Sequence, residues 1–359
     1  MARGALTVPR VLLLALALAA CGGGEPVQRP PAQEARAELA PRAPADTLLL
    51  AEAVNRGAAL PRLTGMLVAQ DGRVVAEGFW RGGRADRPTN VKSVSKSVLS
   101  ALVGIAIAEG RLRGPDQPLA EILPEHFGAG TDPRKRSITL GHLVSMRAGL
   151  ESTSFQNYGA WVGSRDWVRD ALRRPLEAGP GERMIYSTGN THLLSAALTR
   201  ATGTSTWAYA VRALGEPLGI RIPRWQRDPQ GIYFGGNDMY LTPRALLRFG
   251  ELYRNGGVHE GKQIVPRAWV EASARPLGTS RWSGFDYGYG WWTKRSGAHD
   301  VFFAWGYGGQ YVFVVPSLKL TAVFTSLSEG PRERDHLPAI HAILDDQLIP
   351  GAEARLQAR

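Results

Sequence analysis

The chain holds a single cysteine, Cys21, in 359 residues, so no intrachain disulfide can form. Lysine is nearly as scarce, with six among 43 basic residues: Lys92, Lys96, Lys135, Lys262, Lys294 and Lys319. Runs of five or six like charges are also missing, and the formal charge of +11 is spread singly among 32 acidic residues. That distribution lacks the basic stripe of a nucleic-acid binder, and no nucleic-acid partner is expected. Several catalytic signatures are absent as well. There is no His-Glu-x-x-His, and the seven histidines (126, 142, 192, 259, 299, 336, 341) do not fall at ligand spacings, which argues against a zinc site. His142 lies in a mostly apolar helical pattern and reads as structural. No Gly-x-Ser-x-Gly elbow, P-loop or dinucleotide fingerprint occurs, so neither a cofactor nor a metal is expected.

What is present is a globular composition. Apolar residues make up 44%, with ten each of Trp, Tyr and Phe, in a chain long enough to bury a large core. "TGMLVAQDGRVVAEGFW" (64–80) sets two β-rich runs around Asp71-Gly72, a hairpin signal. Helical patterns dominate from about 90 to 265, beginning with 93–109. Strand character returns in "YGYGWWT", "DVFFAWG", "QYVFVV" and "LTAVFTS", and a last helix, "DHLPAIHAILDDQLI", precedes a tail at 351–359. Strands at both ends of a helical block predict an α+β fold: one antiparallel sheet built from both chain ends, flanked by helices, with an inserted all-helical region. This is one catalytic unit over 46–350, and its oligomeric state is left open.

The N-terminus has its own logic. Arg3 and Arg10 precede "VLLLALALAA" (11–20), too short to span a bilayer as a helix. It runs into Leu18-Ala19-Ala20-Cys21, which resembles the lipobox of bacterial lipoproteins. The resemblance implies a signal peptide over 1–20, a lipidated Cys21, and a Pro/Ala-rich tether over 21–45. It also implies a cell-envelope location with the membrane as partner, and Gly22 in place of Asp favours the outer membrane. The alternative is an ordinary signal peptide with an incidental cysteine.

The helix at 93–109 crowds hydroxyls and an amine into its first turns. Ser93 and Lys96 form Ser-x-x-Lys and share one helix face. Near the helix start, free N–H groups and the dipole favour negative charge. A serine that attacks a carbonyl needs a base for its proton and a donor for the oxyanion. A desolvated lysine can serve as that base, whereas arginine does not deprotonate. Chance alone supplies about 0.3 such tetrads in a chain with these serine and lysine contents, and Ser93 and Ser95 also fit as capping hydroxyls. Capping leaves unexplained why "VLSALVGIAIA" follows, which is too apolar for an exposed helix.

Two further stretches carry chemistry. In "PGERMIYSTGNTHLLSAAL", Tyr186-Ser187-Thr188 stands just before another helix. A tyrosinate beside a cationic lysine would have a depressed pKa and act as base; the plainer reading is a packing aromatic with a wet hydroxyl. In "FFAWGYGGQYVFVVP" (302–316), glycines at 306, 308 and 309 let backbone approach a ligand, or simply make a tight hairpin turn.

These three stretches, in this order, resemble the serine β-lactamase and penicillin-binding-protein superfamily, close to the class C β-lactamase-related hydrolases. The resemblance covers about 46–350, with "ITLGHLVSMRAGL", "LTPRALLRFGELYRNGG" and "YGYGWW" in the expected order. "AWGYGGQYVFVVP" and the Tyr-Ser-Thr variant are most similar to the 6-aminohexanoate-dimer hydrolases and related esterases. By resemblance, Ser93 is the acylated nucleophile, Lys96 its proton-relay partner, and Tyr186 the base that also protonates the leaving group. The oxyanion lies between the N–H groups of Ser93 and Tyr307, with Trp305, Gly306 and Asn190 lining the substrate site. Two departures stand out. Trp305 replaces the cation with which β-lactamases hold a substrate carboxylate, and Thr188 replaces the Asn of Tyr-x-Asn, with Asn190 two residues later. The expectation is a serine esterase or amidase acting on a small ester or amide. The rivals are a β-lactamase or D,D-peptidase on peptidoglycan peptides, and a non-catalytic binding lipoprotein of the same fold.

Overall fold

Why the two ends of the chain meet is clearest from its first hairpin. In the computed structural model, which describes residues 45–330 and 334–358, β1 (Leu63–Gln70) is buried along its whole length. It turns through Asp71 and Gly72, both at positive φ (53° and 78°), into β2 (Arg73–Phe79). Only a primed turn matches strand twist across two residues, and Asp-Gly is among the sequences that adopt one cheaply. A strand buried on both faces needs partners on both edges. The other edge of β1 pairs with the last strand of the chain.

The later strands are β3 (Gly278–Thr279), β4 (Asp286–Tyr287), β5 (Trp292–Ser296), β6 (His299–Gly306), β7 (Gln310–Val315) and β8 (Leu320–Ser326). They complete an eight-stranded antiparallel sheet in the order β2-β1-β8-β7-β6-β5-β4-β3. This is the β-lactamase/transpeptidase-like arrangement expected from the sequence. One face carries α1 (Ala45–Ala59) and the C-terminal helices over Met66, Val68, Phe313 and Phe324. The other face carries the helical block, over Leu67, Val312 and Val323.

Residues 351–357, expected as part of a tail, are helical. The closing helix continues through Ile349–Gln357 because Ile349 and Ala352 are buried against α1, and the Arg355 Nε lies 3.1 Å from the Asp46 carboxylate. The signal, lipobox and tether readings, Cys21 included, lie outside the described residues.

The axis of the helical block is α2 (Ser95–Ala108), of which Ser95 to Ala106 are all buried. Each fully buried Leu, Val or Ile there contributes roughly 1.5–3 kcal/mol of transfer free energy. Its serines are fasteners. The Ser97 hydroxyl donates to the Gly290 carbonyl (2.6 Å) and the Ser100 hydroxyl to that of Tyr289 (2.7 Å). Buried hydroxyls must be paired, and these tie α2 to the turn that enters β5. Beside α2 runs α3 (Thr188–Thr202).

Candidate active site

Ser93 does not begin the α-helix; it sits on a 3-10 turn, Lys92–Val94, immediately before α2. The turn is held from outside. Lys92 adopts φ 51°, its N–H donates to the Asn90 side-chain oxygen (2.9 Å), and its ammonium lies 3.7 Å from the Asp238 carboxylate. Positive φ in a non-glycine residue is strained, and such strain persists where surroundings over-determine it. The Ser95 hydroxyl, donating to the Lys92 carbonyl (2.6 Å), closes the turn from below.

Lys96 is the second residue of α2, one turn after Ser93, and is 1% exposed. Its Nζ lies 3.0 Å from Ser93 Oγ, 3.3 Å from Thr188 Oγ1 and 2.6 Å from the Gly236 carbonyl oxygen. Burial pushes the amine down to about 7, with the Asp238 charge opposing. Close to neutrality, then, Lys96 carries a lone pair in reach of the serine.

Tyr186 lines the same cavity as Ser93. The turn at Pro180-Gly181 leads into extended backbone that is pinned where the Ile185 N–H donates to the Met146 carbonyl (2.8 Å) and the Ser152 hydroxyl to that of Tyr186 (2.7 Å). The Tyr186 ring stacks on Trp292 (centroids 5.5 Å, 25°) and lies 5.1 Å from the Lys96 amine, and its hydroxyl is close enough to Ser93 for the serine to lower its pKa. The expectation of a depressed tyrosine pKa is wrong. Burial pushes the phenol well above its ordinary value, and the Ser93 hydrogen bond only partly offsets this. Near neutral pH it is therefore the Lys96 amine, and not the Tyr186 phenol, that is close to giving up its proton.

Next along the chain, the open N-terminus of α3 is closed by a loop the sequence did not flag. Ser154 Oγ accepts from the Thr188 N–H (2.9 Å) and Thr153 Oγ1 from the Gly189 N–H (2.7 Å). Ser154 also contacts Thr188 Oγ1 at 2.8 Å, so Thr188 is fixed against Lys96 at the position where a Tyr-x-Asn motif would have its amide. Asn190 is elsewhere: it is buried, with its amide 3.9 Å from Met146 Sδ, because residues two apart on a helix point to different sides.

Gly306 also differs from expectation. It ends β6 against the turn that carries Ser93, where a Cβ would fall 2.3 Å from the Val91 carbonyl oxygen. The glycine therefore lets the strand close on the turn and does not line the cavity. Past it, Tyr307 is 48% exposed on the cavity wall, and Gly308 and Gly309 (φ 85° and 102°) turn the chain into β7.

These groups open into a cavity of about 690 Å³. Lys92, Asn237 and Asp238 face it on one side and Phe155, Trp282, Trp292 and Trp305 on the other. Trp305 packs on Trp282 (4.9 Å) and Trp292 (5.5 Å), while Phe155 meets Trp282 edge-on at 5.8 Å. Among the described residues, no group of three or more His, Cys, Asp or Glu is placed to hold a metal ion.

Comparison with known proteins agrees with this geometry. The family model described as Beta-lactamase matches residues 50–345. The 6-aminohexanoate-dimer hydrolase of Paenarthrobacter ureafaciens is 28% identical over 224 residues, 57% of this chain and 55% of that enzyme, so the match spans about half of its length. Among solved structures, a Bacillus anthracis protein provisionally named as a 6-aminohexanoate-dimer hydrolase has the same fold (TM-score 0.69, 21% identity, 86% of this chain and 82% of that one). So does EstCE1, described as a hydrolase with promiscuous acyltransferase activity (TM-score 0.66, 20% identity, 83% of this chain and 99% of that one). The chain belongs to the Beta-lactamase family, that of the serine β-lactamases and penicillin-binding proteins.

Proposed function

We propose that the protein hydrolyses carboxylic esters or linear amides through an acyl-enzyme on Ser93. The observation that carries this is the Ser93 hydroxyl 3.0 Å from a desolvated Lys96 amine, with the Tyr186 phenol lining the same aromatic cavity. Neutral Lys96 takes the Ser93 proton as Oγ attacks the carbonyl carbon. The oxyanion forms between the N–H groups of Ser93 and Tyr307. Tyr186 gives its proton to the departing oxygen or nitrogen and regains one from the Lys96 ammonium. Water then cleaves the acyl-enzyme by the same relay run in reverse.

The cavity favours an uncharged, apolar substrate over a β-lactam or peptidoglycan peptide. Where a cation would hold a carboxylate there is the Trp305 indole, Lys92 is engaged by Asp238, and the Arg62 guanidinium, which also lines the cavity, donates to the Leu327 and Glu329 carbonyls. Fluorophosphonate treatment of residues 46–359, with adduct mapping by peptide mass spectrometry, tests the reading. An adduct on Ser93 that is lost in Ser93→Ala is expected; folded protein without an adduct would favour a non-catalytic binding role. We also propose lipid anchoring at Cys21 in a bacterial envelope, which fails if cells grown with labelled palmitate leave the protein unlabelled.

A further inference from the structure

We infer that His192 and Asp228, neither of which touches the cavity, are positioning residues that aim the Lys96 amine at Ser93. The inference rests on Lys96 acting as proposed above. A neutral amine has two N–H donors and one lone pair. The Gly236 carbonyl can only accept, so at 2.6 Å it takes one N–H, and Thr188 Oγ1 is placed for the second. The lone pair is then left for Ser93. Where the Gly236 oxygen sits therefore decides whether Lys96 faces the serine as base or as donor.

That oxygen ends a strap, residues 225–236, clamped onto α3. The Ser195 hydroxyl donates to the Tyr233 carbonyl (2.6 Å), and the Trp225 indole to that of Phe234 (2.8 Å). Gly235 is pressed so closely on the helix that a Cβ would fall 2.1 Å from the Thr191 carbonyl oxygen. The last clamp before Gly236 is His192, whose Nδ1 accepts from the Gly235 N–H at 3.4 Å. His192 stands one helical turn after Thr188, so α3 holds two of the three groups around Lys96, one directly and one through the strap.

Asp228 selects the ring form that makes this possible. Its Oδ1 accepts from the Gln230 and Ile232 N–H groups (2.9 and 2.8 Å), and its Oδ2 lies 2.9 Å from His192 Nε2. Both side chains are fully enclosed. A carboxylate accepts only, so Nε2 carries the proton and Nδ1 keeps the lone pair that Gly235 needs. In Asp228→Asn the two backbone N–H groups retain the amide oxygen and turn its NH₂ toward Nε2. The ring must then protonate Nδ1, which sets N–H against N–H at Gly235 and displaces the strap. Among the described residues, Asp228 is the one acidic side chain paired with His192, whose other walls are Trp161, Trp167 and Phe234. Lys96 in turn faces the charge of Asp238 and the Tyr186 ring.

The test follows nitrophenyl-ester hydrolysis by wild type and Asp228→Asn across pH 5–10, with the His192 tautomer read by long-range ¹H–¹⁵N NMR in wild type. We expect kcat to fall at least about tenfold, as small misplacements of a catalytic group do, with KM within about twofold. The ionisation in the rate profile should move by at least about half a unit, which loss of stability alone would not produce. Folded Asp228→Asn with the wild-type profile would overturn the inference. So would a wild-type His192 protonated on Nδ1, whether or not the variant folds. If instead wild-type Ser93 takes no fluorophosphonate, it is the hydrolase reading that fails, and the tautomer still judges the His192–Asp228 pair.

Discussion

The two walls that meet at Ser93 are built in opposite ways. On the relay wall, Lys96, Thr188, Ser154 and the Gly236 carbonyl sit within hydrogen-bond distance of one another. The buried side chains there have nowhere else to turn, because a buried polar atom without a partner costs about 1–3 kcal/mol. The facing aromatic wall has no such constraint. Phe155 and Trp282 at its mouth are 58% and 50% exposed, and Phe155 is held at φ 55° on its own loop. On the function proposed above, one wall is preorganised for proton transfer, and the other offers apolar area that different acyl groups can share. Tyr186 belongs to both, with its ring in the aromatic stack and under the Lys96 amine.

Breaking the relay wall should have the largest effect. Lys96→Ala or Ser93→Ala should lower kcat/KM at least about 10³-fold in a steady-state ester assay, since the members of such a unit fail together. Lys96→Arg should fare no better, because a guanidinium keeps its proton. Tyr186→Phe is expected to cost about 10²–10⁴-fold, the range of a general acid–base contact, and wild-type rates in that variant would remove Tyr186 from the relay. The pH profile sharpens the same wall. With Lys96 brought down to about 7, kcat/KM should climb through that pH and level off above it. An acid limb near 10 would mean a solvated lysine.

Disturbing the aromatic wall should be milder and selective. Trp282→Ala is expected to raise KM about tenfold for a nitrophenyl octanoate, as if one or two buried methylenes lost their contact, and to leave the acetate almost unaffected. Equal losses on both esters would mean that Trp282 shapes the relay and not the acyl site.

What could be read from the sequence divides along the same line. The hairpin at Asp71-Gly72, the sheet from both chain ends, and the Ser93–Lys96 pair rest on short spacings and turn chemistry, which local sequence encodes. Even His142 proved structural: its ring accepts from the Thr139 N–H (3.3 Å) at the start of a short helix. The strap carbonyl at Gly236 and the Ser154 cap were not legible, because they lie 143 and 61 residues from Ser93 and come near it only through folding. Asn190 was misplaced for a local reason, since counting from a motif ignores which face of the helix each residue occupies. The direction of the Tyr186 shift was missed because a neighbouring charge can be guessed from sequence, whereas desolvation depends on everything around the phenol.

The relay wall should also leave a mark on stability, where the aromatic wall leaves none. Below about pH 7, Lys96 is protonated in both the folded and unfolded chain, and the fold bears the whole cost of enclosing an ammonium. Between about 7 and the ordinary lysine value of 10.5, the folded chain has released that proton and the unfolded chain has not. The unfolded state then binds more protons, so rising pH favours the fold, by at most about 1.4 kcal/mol per pH unit. Lys96→Met keeps the length of the side chain but has no proton to lose, so other titrating groups cancel when the two proteins are compared. The Tm of wild type should gain on that of Lys96→Met by about 2 °C per pH unit from 7 to 10 in matched thermal melts. Parallel Tm curves across that range would place the Lys96 pKa near its solvated value, and the base at Ser93 would have to be sought elsewhere.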